Sequence, residues 1–305
     1  MIVKIYIVLF ICLMINSAFA QNSTHSNINS NENILKFAGF LFDIREYNRA
    51  ANEYERYLFQ NNSHPDSIKF RIGLCHLYGK DYERAIDKFS IFVKDSSRSI
   101  LYNRALFNIS YIKFELHRYE QSLDIIANRK KYIDNDVRDT DVLHLDSILD
   151  ANKFNLLIAA NNLILKNWKD SEIAINKISE SDSFPGFNHS FNNLLTKGKE
   201  LNEKNPYLAS GLSTILPGLG KVYAGNTIDG LFSFLLHGFT TWQAYEGFSE
   251  NKMKSVKGWL FAGIGTVFYL GNIYGSYISV EIHNREINND FNSQIHLELR
   301  KILDY

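Results

Sequence analysis

A chain of 305 residues with 45% hydrophobic and 22% charged side chains is long enough for two domains and too apolar to be disordered throughout. Its 33 basic and 33 acidic residues cancel, and no basic patch interleaved with aromatics occurs, so a nucleic-acid partner is excluded. Of the two cysteines, Cys12 falls in an N-terminal apolar run and only Cys75 lies beyond it, which leaves no intramolecular disulfide and no cysteine metal site in an exported chain.

That run begins with Lys4 as its charged start, continues through apolar residues 5–15, and ends in Ala18-Phe19-Ala20, the small-residue pattern at which signal peptidase cuts. A signal peptide over 1–20, cleaved before Gln21, is expected; an uncleaved anchor is the alternative. Residues 21–32 are rich in Ser and Asn, bury too little apolar surface to offset ordering entropy, and are expected to form a flexible leader.

A short phrase then recurs four times: Arg45-Glu46-Tyr47-Asn48-Arg49-Ala50, Lys80-Asp81-Tyr82-Glu83-Arg84-Ala85, His117-Arg118-Tyr119-Glu120-Gln121-Ser122 and Lys166-Asn167-Trp168-Lys169-Asp170-Ser171. Its aromatic residue stands at 47, 82, 119 and 168, spacings of 35, 37 and 49, the last lengthened by a polar insertion carrying Asp134, Asp136, Asp139 and Asp141. Each phrase lies between two runs of helical periodicity, so it reads as the turn and first winding of the second helix of a hairpin. Small residues at Ala50, Ala85, Ser122 and Ser171 would let paired helices approach, and Tyr54, Phe89, Ile126 and Ile175 would fill the core between hairpins.

These residues, with the small first-helix positions Ala38, Gly73, Ser110 and Ala159, resemble the tetratricopeptide repeat, whose period is about 34 residues. The resemblance covers roughly 33–180, and a segment with Phe187, Phe191, Leu194, Leu195 and Leu201 would cap the array, taking it to 203. The resemblance implies a concave face lined by first-helix side chains that holds another envelope protein or a peptide, with Phe70, Tyr78, Arg104, Phe107, Tyr111 and Glu115 as the candidate contacts. For the aromatic ones, packing between helices is the competing role.

After Lys204-Asn205-Pro206 the composition shifts to Gly and aromatics, and two apolar stretches follow at about 230–248 and 259–280, each near the roughly 20 residues needed to cross a bilayer. The first carries His237, Gln243 and Glu246, so burial as a water-soluble helical pair is the alternative. Lys252, Lys254 and Lys257 in the loop 250–257 place that loop in the cytoplasm by the positive-inside rule. The repeats would then face the periplasm from the inner membrane, in agreement with the signal peptide. Gly271, Gly275 and Ser279 form a small-residue stripe suited to a second copy or another helix, and residues 286–305 read as an amphipathic C-terminal helix.

The stretch Leu216-Pro217-Gly218-Leu219-Gly220-Lys221-Val222-Tyr223-Ala224-Gly225 resembles the P-G-L-G-Q-x-Y-x-G opening of small two-span membrane domains of bacterial envelope proteins, with Lys221 in place of the glutamine. Asp229, Gly230, Gly271, Asn272, Gly275 and the pair Asn284-Arg285 belong to the same resemblance, which covers 206–285. From the residues alone, Pro217, Gly218 and Gly220 should end a short interfacial helix over about 208–216.

Gly218-Leu219-Gly220-Lys221 is no phosphate loop, because Ile215 stands where its first glycine would be and Val222 where Ser or Thr would bind magnesium. The four aspartates lack the central glycine and closing glutamate of a calcium loop, and no H-E-x-x-H or G-x-S-x-G occurs. The sequence thus points to an all-α chain, a tetratricopeptide-like hairpin array followed by a transmembrane helical hairpin, without cofactor, metal or enzymatic role. Its expected function is a membrane-tethered interaction scaffold; the alternative is lipid or ion binding by the C-terminal hairpin.

Overall fold

The computed structural model describes residues 30–61, 65–96, 99, 101–128, 141–178 and 186–301, with 141–150 and 251 described in backbone only. The signal peptide at 1–20, most of the leader, and Asp134, Asp136 and Asp139 lie outside the described residues. Every regular element among the described residues is a helix. The chain divides into two compact units, Met1–Asp150 and Ala151–Tyr305.

The first unit contains three hairpins: α1 (Asn31–Asp43) with α2 (Tyr47–Gln60), α3 (Asp66–Tyr78) with α4 (Tyr82–Asp95), and α5 (Tyr102–Glu115) with α6 (Tyr119–Asn128). Each helix packs on the next in order. α7 (Asp141–Ile164) begins in this unit and continues into the second, where it pairs with α8 (Trp168–Asn176) through a 3.2 Å hydrogen bond from Ser171 Oγ to the Ala159 carbonyl. The aromatic of each repeated phrase is the first residue of a second helix, so the phrase marks the turn at all four places.

The turn is the same each time. Arg45, Lys80, His117 and Lys166 take left-handed φ angles of 65°, 59°, 59° and 59°. The N–H of the residue after each reaches back to a carbonyl five positions earlier, as Glu46 to Leu41 (2.8 Å), Asp81 to His76 (2.9 Å), Arg118 to Lys113 (2.8 Å) and Asn167 to Asn162 (2.8 Å). This is the Schellman closure, which satisfies carbonyls that a helix end leaves open. Glycine usually occupies the left-handed position; here Arg45, Lys80 and Lys166 do so at three turns, where their charge complements the negative end of the helix dipole, and His117 does so at the fourth. The strain of left-handed backbone is about 1 kcal/mol or more per residue, so Lys80→Gly is expected to raise the stability of the first unit by roughly 1 kcal/mol, read from its urea midpoint.

Three columns of residues follow the turn. Ala50, Ala85, Ser122 and Ser171 are buried, as are Ala38, Gly73, Ser110 and Ala159 in the first helices and Tyr54, Phe89, Ile126 and Ile175 in the second. A Cβ at Gly73 would meet the Phe89 ring at 2.5 Å, so the small residue is there to admit the large one. Ala38, Leu41, Ala50, Ala51, Tyr54, Ile68, Ile72 and Cys75 form a continuous core across the first two hairpins. Burial pushes the Cys75 thiol up to about 12, so it is expected to resist maleimide at neutral pH until the unit unfolds.

His76, buried beside it with Nδ1 unpartnered among the described residues, is held below its usual value of 6.5, chiefly by desolvation of the charged ring. A depressed folded pKa means stability complete above the unfolded value and falling with pH below it. The thermal midpoint is therefore expected to drop as pH is lowered from about 6.5, and His76→Leu is expected to flatten that slope.

The second unit continues with α9 (Phe187–Lys199), α10 (Pro206–Ile215), α11 (Leu219–Ala224), α12 (Thr227–Asn251), a 3-10 turn (Lys252–Lys254) and α13 (Val256–Arg300). The expected C-terminal helix at 286–305 is not separate: α13 runs unbroken through 45 residues, about 67 Å at 1.5 Å per residue. No Gly or Pro interrupts it after Gly275. Its far half docks on α8 and α9. Phe291 meets Trp168 edge-to-face at 6.4 Å, both press on Gly198, and Lys197 Nζ donates to Gln294 at 2.8 Å. Glu203 bridges Lys166 and Asn288, and these partners hold its carboxyl below the usual range. The expected boundary at 203–206 is likewise closed over. Asn284 clamps the Lys204 backbone, its Oδ1 accepting from the N–H at 2.9 Å and its Nδ2 donating to the carbonyl at 2.8 Å.

Candidate functional site

The described residues build one unusual site, where a short glycine-bounded helix is wedged into the base of the α12–α13 hairpin. Pro206 opens α10 at a position where its missing N–H costs nothing, and Asn205 Oδ1 accepts from the N–H groups of Tyr207 (2.9 Å) and Leu208 (3.3 Å). Pro217 disfavours helical backbone at Leu216, so α10 stops there. Gly218 then turns with φ +90°, and a Cβ on it would lie 2.0 Å from the Gly230 carbonyl oxygen. A Cβ on Gly220 would lie 2.0 Å from the Ala209 carbonyl oxygen, and one on Gly230 2.5 Å from Val222 Cγ2. The glycines are thus contact points between α10, α11 and α12. Gly225 ends α11 at φ +105°.

The hairpin seam steps by seven residues. Gly247 lies against Gly258 at 2.6 Å, and Thr240 against Gly265 at 3.3 Å, measured from the Cβ each glycine lacks. One step further brings Ser233 to the level of Asn272. Around that level the interior is polar: Ser213 Oγ and Ser276 Oγ share a 2.7 Å hydrogen bond, the Gly220 N–H donates to Ser213 Oγ at 2.9 Å, and Ser276 Oγ donates to the Asn272 carbonyl at 2.8 Å. Lys221 reaches in from α11, donating from Nζ to Ser233 Oγ at 3.0 Å, with its Cε 3.5 Å from the Cβ position of Gly275. His237 packs on Tyr269 with ring centres 5.4 Å apart. Asn272 is buried with neither side-chain amide atom hydrogen-bonded among the described residues. Leaving a buried polar group unmade costs about 1–3 kcal/mol, so Asn272→Leu is expected to stabilise the hairpin by an amount of that order, read as a shift in denaturation midpoint in detergent.

The exterior is the reverse. Leu231, Phe232, Leu235 and Trp242 on α12 and Val267 and Leu270 on α13 are each 58–69% exposed. Aromatics gather at both ends. Tyr207 and Tyr277 stack edge-to-face at 5.5 Å near α11, and Trp259 packs on Phe248 at 5.4 Å near the lysine loop. In that loop Lys257 pairs with Glu246 at 2.7 Å and Ser255 caps α13. Among the described residues no helix is long and apolar enough to cross a membrane. His237, Gln243, Glu246 and Asn272, with several Gly, Ser and Thr, dilute the two stretches at 230–248 and 259–280 that the sequence reads as spans.

Of the expected membrane-domain residues, the structure brings Pro217, Gly218, Gly220, Tyr223, Gly225 and Gly230 together around α11, and Tyr223 OH accepts from the Asn205 N–H at 3.2 Å. Asp229 is exposed in the first turn of α12, and Gly271 faces open space. In the stripe Gly271, Gly275, Ser279, the Lys221 stem lies 3.5 Å from the Cβ position of Gly275 and Ser279 Oγ donates to the Gly275 carbonyl at 2.8 Å. α11 itself, Ser213, Ser233 and Ser276 were not singled out by the sequence.

Of the expected partner contacts, Phe70, Phe107 and Tyr111 are buried, Phe70 against Phe89 and Phe92, and Phe107 stacked on Tyr111 at 6.3 Å. They belong to the core, so the reading of these three as surface contacts is corrected. Tyr78 is exposed within an aromatic group with Phe42 and Tyr47, while Arg104 and Glu115 are half-buried, Glu115 accepting from Tyr111 OH at 3.2 Å. Among the described residues no group of His, Cys, Asp or Glu is placed to hold a metal ion. No family model matches this chain, and no curated protein and no solved structure matches it.

Proposed function

We propose that the chain is a bacterial envelope scaffold whose tetratricopeptide-like hairpins bind a partner protein and whose α12–α13 hairpin is embedded in the inner membrane, with the repeats on the periplasmic side and the loop 250–257 in the cytoplasm. The observation that carries the membrane part is the inversion of the hairpin: small and polar residues inside, large apolar ones outside. Water penalises such an arrangement and lipid favours it, because lipid offers no drive to bury leucine but leaves interhelical hydrogen bonds and close glycine contacts as the forces that join helices. Mean hydropathy counts Thr240, Gly265, Asn272 and Ser276, which the acyl chains would not meet.

The absence of charge over long stretches of both helices supports the same reading. Residues 258–280 carry no Asp, Glu, Lys or Arg and extend about 34 Å, against a hydrocarbon thickness of about 30 Å. Residues 230–245 are equally free of charge and extend about 24 Å, and Glu246 beyond them is neutralised by Lys257. The tyrosines at one end and tryptophans at the other match interfacial anchors. For the repeats, the four equal turns and three buried columns support stacking of tetratricopeptide type, and Tyr78, Arg104 and Glu115 remain as contacts for the partner.

The test uses single-tryptophan forms of the full chain in vesicles containing phospholipid brominated on its acyl chains. Trp242 and Trp259 are expected to be quenched and Trp168 to be spared. Equal, weak quenching of all three would overturn the membrane reading.

A further inference from the structure

We propose that α1 pairs antiparallel with α1 of a second copy of this chain, through a face that the later hairpins bury and the first leaves open. This concerns the first unit alone and stands apart from the membrane reading above.

The register of the repeats identifies the face. Ile72 and Cys75 on α3 lie inside the core that joins the second hairpin to the first. Ile109 and Ile112, 37 residues further on, are buried on α5, the helix that packs on α4. The same two positions on α1, 35 residues before Ile72 and Cys75, are Phe37 and Phe40, and these are 42% and 56% exposed. Ile44, one turn past Phe40 at the C-cap, is 49% exposed. An open apolar end is what a stacked array has to cover or make polar. Residues 21–29, which precede α1, offer a single aliphatic side chain, Ile28, and so no helix face to cover it.

Spacing and charge identify the occupant. Phe37, Phe40 and Ile44 follow one another at three and four residues, the a-d-a spacing of a coiled-coil seam. Lys36 and Asp43 each stand just before an a position, so they lie seven residues apart on one rim of that seam, and both are exposed. When two such helices run antiparallel about a two-fold axis at Phe40, equivalent rims meet. Lys36 then faces Asp43 of the partner subunit, and Asp43 faces Lys36 of the partner subunit. A parallel pair gives neither charge an opposite counterpart. Glu32 holds Lys36 along the same helix at 2.6 Å, and an ammonium with three donors can take a second carboxylate. The seam is short, so the pair is a reversible dimer rather than an obligate one.

The experiment is sedimentation equilibrium of the full chain in uncharged, density-matched detergent over a range of protein concentrations. The natural chain is expected to form a reversible dimer. Lys36→Asp and Asp43→Lys are each expected to weaken it roughly fivefold, and the double exchange to restore it, because the same two pairs form with their signs reversed. Phe40→Asp is expected to weaken it by more than about tenfold while leaving the thermal midpoint of the first unit unchanged. A natural chain that stays monomeric would overturn the proposal, and early melting of its Phe40→Asp form would then show that residues of the same chain cover this face. A dimer that persists in Phe40→Asp would overturn it too, by placing the contact on another surface. So would a double exchange that dimerises no better than either single one.

Discussion

Gly218→Ala is expected to prevent assembly of the C-terminal hairpin. Left-handed backbone costs a non-glycine residue about 1–2 kcal/mol, and the added Cβ would sit 2.0 Å from the Gly230 carbonyl oxygen. That obstacle is backbone, so no rotamer change relieves it, and the two helices must part. The loss is expected to exceed about 4 kcal/mol, a large share of the 5–15 kcal/mol that holds a domain together. Gly220→Ala should behave alike, because its Cβ would strike the Ala209 carbonyl oxygen and displace the Ser213–Ser276 pair. Gly211→Ala and Gly271→Ala have nothing within 4 Å and should change stability by less than about 0.5 kcal/mol. Trypsin resistance of the 206–300 fragment in detergent measures all four, and equal behaviour of Gly218→Ala and Gly271→Ala would sink this packing account.

Phe89→Ala is expected to destabilise the first unit by about 3–5 kcal/mol, the usual cost of emptying a phenylalanine-sized space in a close-packed core. Phe89 is fully buried, packs on Phe70 at 5.4 Å, and fills the room that Gly73 leaves. The two positions should therefore be coupled. Gly73→Ala alone overpacks the site by about 1–3 kcal/mol, whereas in a Phe89→Leu background it should cost much less, since the ring it strikes is gone. Urea midpoints of the four chains in this cycle give the coupling directly. Additive effects would mean that the column alignment of the hairpins is misread.

The repeated phrase was legible because it combines a period with a chemistry: an aromatic that starts a helix, a small residue three positions on and a large one seven positions on. All four second helices begin where that phrase places them. The left-handed turns were hidden, because Arg45, Lys80, His117 and Lys166 stand where a sequence reader looks for glycine. Helix α11 was missed for the opposite reason. Its six residues lie between two glycines that read as loop, yet those glycines are its end caps. The continuity of α13 was available in the absence of Gly and Pro after Gly275, but the change from apolar to amphipathic pattern near 281 looked like a boundary.

The partner contacts were the least legible part. Aromatics at helical spacing serve a core and a binding face equally well, and Phe70, Phe107 and Tyr111 went to the core. The hairpin interior illustrates the same limit from the other side. Ser213, Ser276 and Gly220 form one hydrogen-bonded group from helices far apart in sequence, and no local motif announces it.

Extraction at alkaline pH bears most directly on where this molecule resides. Membranes from cells producing the full chain are washed in carbonate, which strips peripheral proteins and leaves embedded ones with the bilayer. The chain is expected in the pellet, released only by detergent. Recovery of folded chain in the carbonate supernatant would contradict a hairpin that turns its leucines and phenylalanines toward lipid.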